Sequence, residues 1–169
     1  FDIDELRLRV EGSIRRATRE NLHEPRTGLP TGSMVDAELQ RLKDAKKPFQ
    51  QIELVLSGFD AYADVYSFIA ANDVLYHAAK TIRDVVAELG TDSDFVGMSG
   101  DTFVIVTFAK DAKTLHDAIE ARWDEQVHTF YTFADADRGG IVLDAGADTE
   151  RFVHIMRLTP APAQTTSGA

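Results

Sequence analysis

The clearest chemical candidate in the sequence is the stretch Ser-Gly-Asp-Thr-Phe at residues 99–103. Apolar residues before and after it predict a β-hairpin with strands at 94–96 and 103–108. Asp101 is the best polar candidate on this hairpin, whereas Phe103 starts an apolar strand and is expected in the core.

Other patterns that could carry chemistry are weaker. The absence of cysteine excludes disulfides, thiolate metal sites and cysteine nucleophiles. The histidines show no metal-binding spacing among themselves, and a nucleophile-elbow pattern is missing. Residues 135–140 resemble a calcium loop faintly, but without its downstream glutamate we expect a solvated turn. Tyr62 and Tyr66 lie four apart on a predicted helix and could stack on a base, although core or interface packing is favoured.

Charge and composition narrow the classes of partner. A net charge of −10 disfavours nucleic-acid binding and opposes a polyanionic nucleotide unless local cations compensate. Hydrophobic content of 44% and charged content of 27% are typical of a soluble globular domain. Since no apolar run approaches the ~20 residues that span a bilayer, we expect no membrane contact and a cytoplasmic location. The chain begins with Phe1, so we interpret it as a segment of a longer protein.

Hydrophobic periodicity predicts one α+β domain with an antiparallel sheet covered by helices. An apolar stripe predicts an N-terminal helix over residues 1–22 that packs on its own domain or on another helix, and Ser33 is the expected N-cap of the next helix. The tail at 160–169 is rich in Pro, Ala, Ser and Thr and is expected to be disordered. The other predicted elements are helices at 33–45, within 59–89 (a short and then a longer one) and at 114–123, and strands at 49–56, 130–133, 141–143 and 152–158, the last three separated by turns at 135–140 and 144–149.

Three separated segments resemble the diguanylate cyclase family, whose signature is Gly-Gly-Asp-Glu-Phe (GGDEF). Thr27-Gly28-Leu29-Pro30 matches the turn that opens that domain. Residues 59–68 resemble the family motif Phe-Lys-x-Tyr-Asn-Asp-x-Tyr-Gly-Phe, and residues 94–103 contain the signature. The resemblance implies a nucleotide-cyclase, ferredoxin-like fold. Active members of the family condense two GTP molecules into cyclic di-GMP, one GTP being held by each subunit of a dimer.

The resemblance also implies which residues should form the site. Two carboxylates hold a divalent metal against the triphosphate in active members, and the matching positions are Val55 and Asp101. A phosphate-binding lysine corresponds to Asp60. The guanine-binding asparagine corresponds to Ala63, and its aspartate partner corresponds to Asn72.

The signature itself is partly changed. Ser99 replaces its first glycine and Thr102 replaces its glutamate, while Gly100, Asp101 and Phe103 are retained. Gly97 replaces the arginine that precedes the signature. The Arg-x-x-Asp motif of the family's inhibitory product site is absent, since it would fall at Gly90 and Ser93. The terminal helix of the family is not predicted, because residues 159–162 interrupt the last strand with prolines.

These changes predict a catalytically inactive domain at 23–159 that signals through a homodimer or a protein partner. The alternative is a nucleotide-binding regulator with a residual pocket at Asp101, Gly100, Phe59, Asp60 and Asn72. No cofactor is expected, and Mg²⁺ would be needed only if GTP binding survives. Residues 1–16 resemble the last helix of a response-regulator receiver domain, which implies a receiver upstream.

Overall fold

The computed structural model describes residues 22–162. The helix expected over 1–22 lies outside the described residues except for Leu22, as do residues 163–169 of the expected tail. The helices are α1 (Gly32–Asp44), α2 (Phe59–Tyr66), α3 (Phe68–Leu89), α4 (Ala112–Gln126) and α5 (Phe133–Arg138), a 3-10 helix spans Val127–Phe130, and the strands are β1 (Gln50–Leu56), β2 (Phe95–Ser99), β3 (Thr102–Thr107), β4 (Gly140–Leu143), β5 (Arg151–His154) and β6 (Leu158–Pro160).

The centre of the fold is a four-stranded antiparallel sheet in the order β2-β3-β1-β6. Its register places Leu54 opposite Phe103 and Val55 opposite Thr102. Side chains alternate along strand β1, with Leu54 and Leu56 buried on one face and Val55 on the other. The predicted α+β class with an antiparallel sheet and covering helices is confirmed.

Helices cover both faces of this sheet. On one face, α3 and α4 pack against Leu54, Phe103 and Ile105 in the main core. Trp123 of α4 is fully buried there, and its Nε1 donates to the carbonyl of Met156 at 3.1 Å. On the other face, α1 packs Val35 and Leu42 against Val104 and Val106 of β3. This three-layer arrangement explains why β3 is apolar on both sides.

Several predicted boundaries are wrong. Residues 130–133, predicted as a strand, instead end the 3-10 helix and begin α5, and the turn expected at 135–140 is largely helical because Thr132 caps α5 by accepting from the Asp135 N–H. The strand predicted at 152–158 is two strands, β5 and β6, that belong to different sheets. Thr31, rather than Ser33, occupies the N-cap position of α1.

The C-terminal boundary also differs from the prediction. Strand β6 pairs with β1 through Pro160, and the Ala161 N–H donates to the Glu53 carbonyl at 2.9 Å. Proline is tolerated here because β6 is an edge strand, and the backbone groups on its outer edge need no partner strand. Strand pairing therefore continues past residue 159, where the domain was expected to end.

Ser67 joins α2 to α3 with φ +129 and ψ 161, a backbone region that strongly favours glycine. The family motif that this segment resembles has glycine at this position. We expect Ser67→Gly to raise the free energy of unfolding by about 1 kcal/mol, because relief of about 1–3 kcal/mol of strain exceeds the few tenths lost with the cap. Urea denaturation measures this change.

Ser67→Ala is the matched control. The Ser67 hydroxyl accepts from the Ala70 N–H at 3.2 Å and so caps α3. Alanine keeps the strain and loses this cap, so we expect a loss of about 1 kcal/mol. If both variants lower stability equally, the backbone at residue 67 is not strained.

Candidate functional site

A cavity with a volume of about 410 Å³ opens at the carboxyl end of β1. Val55, Gly58, Phe59 and Asp60 supply one wall as β1 turns into α2. Gly58 has φ +73, and a Cβ there would lie 3.2 Å from the His154 carbonyl oxygen and 3.3 Å from a Val153 methyl. Glycine thus allows β5 to close against this corner. The remaining lining residues are Arg26, Leu56, Ala61, Leu75, Met98, Asp101, Arg151 and Val153.

The signature hairpin, formed by β2, β3 and the turn between them, places Asp101 on the wall of this cavity. Gly100 and Asp101 form the two-residue turn between Ser99 and Thr102, and Gly100 has φ +61, which suits the first turn position. Asp101 is exposed on the cavity wall, while Phe103 is fully buried, as predicted.

Two arginines also line the cavity, and sequence reasoning assigned neither to the site. The Arg26 guanidinium pairs with Glu24 at 2.8 Å, and this hydrogen bond holds the pKa of Glu24 below its usual range. The same contact raises the pKa of Arg26, with a smaller contribution from Asp101. Arg151 reaches the cavity from β5 and has no ion pair among residues 22–162. Two arginines and two carboxylates, Asp60 and Asp101, therefore line the same cavity.

The predicted site residues are only partly brought together. Val55, Phe59, Asp60 and Asp101 line the cavity, whereas Ser99, Gly100, Thr102, Ala63 and Asn72 are not among its lining residues. Asn72 lies in the first turns of α3, and its Oδ1 is buried without a hydrogen-bond partner in the described part of the chain.

Gly97 stands where the diguanylate cyclase family has arginine, and the packing around it leaves no room for a side chain. A Cβ at residue 97 would lie 2.5 Å from a Val35 methyl of α1 and 3.1 Å from the Pro30 carbonyl oxygen. Helix α1 therefore covers the surface from which a longer side chain would project.

Tyr62 and Tyr66 pack together instead of facing the cavity. Their rings stack at 4.5 Å, and Tyr131 contacts both edge-on. The Tyr62 hydroxyl donates to the Phe130 carbonyl at 2.6 Å, and the Tyr66 hydroxyl donates to Asp135. Burial raises the pKa of Tyr131 to about 12. The favoured interpretation of core packing for this pair agrees with these contacts.

Two solved structures with a similar fold share 20% sequence identity or less with this chain. The GGDEF domain of TpbB (YfiN) from Pseudomonas aeruginosa has a TM-score of 0.53 at 20% identity, over 82% of this chain and 72% of that one. The coiled coil and GGDEF domain of DgcB from Caulobacter crescentus, solved with c-di-GMP, has a TM-score of 0.56 at 14% identity, over 93% and 76%. The fold is that of a GGDEF domain. No family model and no curated protein matches the chain.

A third structure with the GGDEF fold contains a protein partner. Diguanylate cyclase SiaD from Pseudomonas aeruginosa, solved in complex with its activator SiaC, has a TM-score of 0.53 at 16% identity. The match covers 97% of this chain and 59% of the SiaD chain. Within residues 22–162, no helix is long and apolar enough to cross a bilayer.

The donor set does not fit the magnesium–triphosphate site expected of an active GGDEF domain. Mg²⁺ requires oxygen ligands, and Val55 presents methyl groups to the cavity where the first carboxylate is expected. Asp101 remains, but Asp60 places a negative charge where a phosphate-binding lysine is expected. In the described residues, three metal-ligating groups converge only at His116, Asp117 and Glu120, outside this cavity.

Proposed function

We propose that this chain is a catalytically inactive GGDEF-like signalling module of a response regulator, acting through dimerisation or partner contacts. The observation that carries this proposal is the position of Val55 and Asp60 on the wall of the cavity that Asp101 enters. Each lost transition-state contact typically costs about 2–4 kcal/mol. Loss of the metal ligand, the phosphate cation and the signature glutamate together would abolish useful turnover.

The role in signalling is supported by exposed apolar side chains beside the α2–α3 junction. Val65, Phe68 and Ile69 are 49%, 72% and 81% exposed. Exposed apolar patches are typical of surfaces that contact another protein, and these three side chains flank one junction between helices.

The wider organisation is part of the same proposal. Residues 1–22 would connect an upstream receiver to the domain that begins at residue 23, and a change in the receiver would reach the domain through this segment. A cytoplasmic location fits such a role. The support is the sequence resemblance of residues 1–16 to the end of a receiver domain.

A second candidate function is regulation by a bound nucleotide. A cavity of about 410 Å³ falls in the range that binds small ligands, and Arg26 and Arg151 line it. These features favour weak binding of GTP or cyclic di-GMP without turnover.

Calorimetric titration with GTP and with cyclic di-GMP, each with and without Mg²⁺, distinguishes the two candidates. For the signalling module we expect no heat with either ligand and no cyclic di-GMP in a parallel turnover assay. Saturable binding that is lost in Arg151→Ala, without turnover, would favour the nucleotide-gated regulator. Mg²⁺-dependent formation of cyclic di-GMP that disappears in Asp101→Ala would overturn the proposal of inactivity.

A further inference from the structure

A second cluster of ligand-forming side chains lies on α4, outside the candidate site. His116, Asp117 and Glu120 each offer one ligand atom, and these atoms lie within 4.8 Å of one another. His116 and Glu120 are one helical turn apart, so their side chains project from the same face. Their side chains are 20% and 26% exposed, which leaves them accessible but partly held by their surroundings.

The contact between His116 and Glu120 is close but lacks the geometry of a hydrogen bond. His116 Nε2 lies 3.1 Å from Glu120 Oε1, yet this nitrogen is buried and makes no hydrogen bond among the described residues. A buried polar nitrogen without a hydrogen-bond partner is energetically costly, and coordination to an ion would remove that cost. When two ligand atoms each lie about 2.0–2.2 Å from one metal ion and the ligand–metal–ligand angle is near 90–110°, the two ligand atoms are about 3 Å apart. The observed separation therefore suits two adjacent ligands of one metal ion.

His116 also borders a cavity of about 300 Å³, which neither Asp117 nor Glu120 lines. Its lining includes Gln51 and Glu53 of β1, so oxygen atoms from a second element face the same space. Lys113 also lines it, and its Nζ pairs with Asp117 at 2.7 Å, which makes this lysine a competitor for that carboxylate. The amino-terminal half of β1 borders this cavity, whereas the carboxyl end of β1 borders the candidate nucleotide site.

We propose that His116, Glu120 and Asp117 form a binding site for a divalent transition metal ion such as Zn²⁺. An imidazole with carboxylates favours zinc, cobalt or nickel over Mg²⁺, which binds oxygen ligands almost exclusively. The site is independent of the proposed function, because none of its ligands lines the candidate nucleotide cavity. Because all three ligands lie on α4, a bound ion would stabilise this helix and with it the folded domain.

Calorimetric titration of the tag-free full chain with ZnCl₂ tests this site. We expect one saturable site, with affinity lowered at least ~10-fold by either His116→Gln or Glu120→Gln. His77→Gln is the matched control, because His77 forms a comparable pair one turn from Asp73 on α3, with a 3.5 Å separation. The affinity of His77→Gln for Zn²⁺ should match that of the unsubstituted chain. Lys113→Gln removes the competitor for Asp117 and should tighten binding.

Thermal unfolding supplies a second readout that does not depend on heats of binding. Saturating Zn²⁺ should raise the Tm of the unsubstituted chain by about 5 °C and leave that of His116→Gln unchanged. Should His116→Gln fail to fold, Glu120→Gln carries the test. Absence of saturable binding, retained affinity in both ligand variants, or an equal loss in His77→Gln would each overturn the proposal.

Discussion

The double variant Val55→Asp with Asp60→Lys is expected to bind GTP in Mg²⁺ at least ~100-fold more tightly than the unsubstituted chain. Both side chains line the cavity that Asp101 enters, so the first substitution adds an oxygen ligand and the second reverses a repulsive charge. Two unit charges about 4 Å apart interact by roughly 4 kcal/mol at an effective dielectric of 20. A ~100-fold change in affinity corresponds to about 2.7 kcal/mol, which is smaller than this interaction energy.

The measurement is a GTP titration with and without Mg²⁺. Asp60→Ala alone is the control, because it removes repulsion without adding a phosphate cation, and an intermediate affinity is expected. Ala63→Asn belongs in a separate step, since Ala63 packs against the main core and a longer side chain there disturbs packing. If the double variant still does not bind GTP, the assignment of this cavity as the nucleotide site is wrong.

Asp94→Ala is expected to lower the free energy of unfolding by about 3 kcal/mol. Asp94 accepts from the Thr107 hydroxyl at 2.6 Å, the Phe108 N–H at 2.9 Å and the Thr91 hydroxyl at 2.5 Å. Thr107 is fully buried, so alanine leaves its hydroxyl without an acceptor, and unsatisfied buried donors cost about 1–3 kcal/mol each. These bonds tie β2 to the end of β3 and so hold the signature hairpin. Urea denaturation measures the loss.

The same carboxylate makes stability depend on pH. Burial by itself raises the pKa of Asp94, but the hydrogen bonds from Thr107, Thr91 and Phe108 outweigh burial and lower it. A lowered folded-state pKa gives stability that is present above the unfolded value near ~3.9 and lost as the pH falls through the folded value. The advantage of the unsubstituted chain over Asp94→Asn should therefore be constant from about pH 7 to 5 and shrink below about pH 4. A constant difference down to pH 2 would contradict this assignment.

The elements predicted most accurately are those whose pattern and partners are local. Helix α3 has an unbroken apolar face and ends at Leu89, as predicted. Gly90 follows it, at a position where a Cβ would collide with the Asp94 carboxylate. The hairpin of β2 and β3 is set by its own turn. Leu89 shows the limit of such patterns, since it continues the apolar face but is 50% exposed at the end of the helix.

The elements that were missed depend on distant contacts. Residues 130–133 have a strand-like composition, but Trp123 stacks on Phe130 and Tyr131 packs against the α2 tyrosines, which favours a helical turn. Arg26 could have been found from its place next to Thr27-Gly28-Leu29-Pro30. Arg151 could not, because only the folding of β5 against Gly58 brings it to the cavity. The pair His116 and Glu120 was visible as a histidine and a glutamate one helical turn apart.

The pairing of β1 with β6 has a consequence for biosynthesis. Leu56 is opposite Leu158, so the second edge of β1 stays open until nearly the whole described chain has left the ribosome. Such high contact order slows folding, because a long loop must close before the pairing stabilises it. Chains released before residue 158 would expose an unpaired strand next to an apolar core, the kind of edge that recruits other chains into aggregates. The last three paired residues thus decide whether β1 is an interior strand or a free edge.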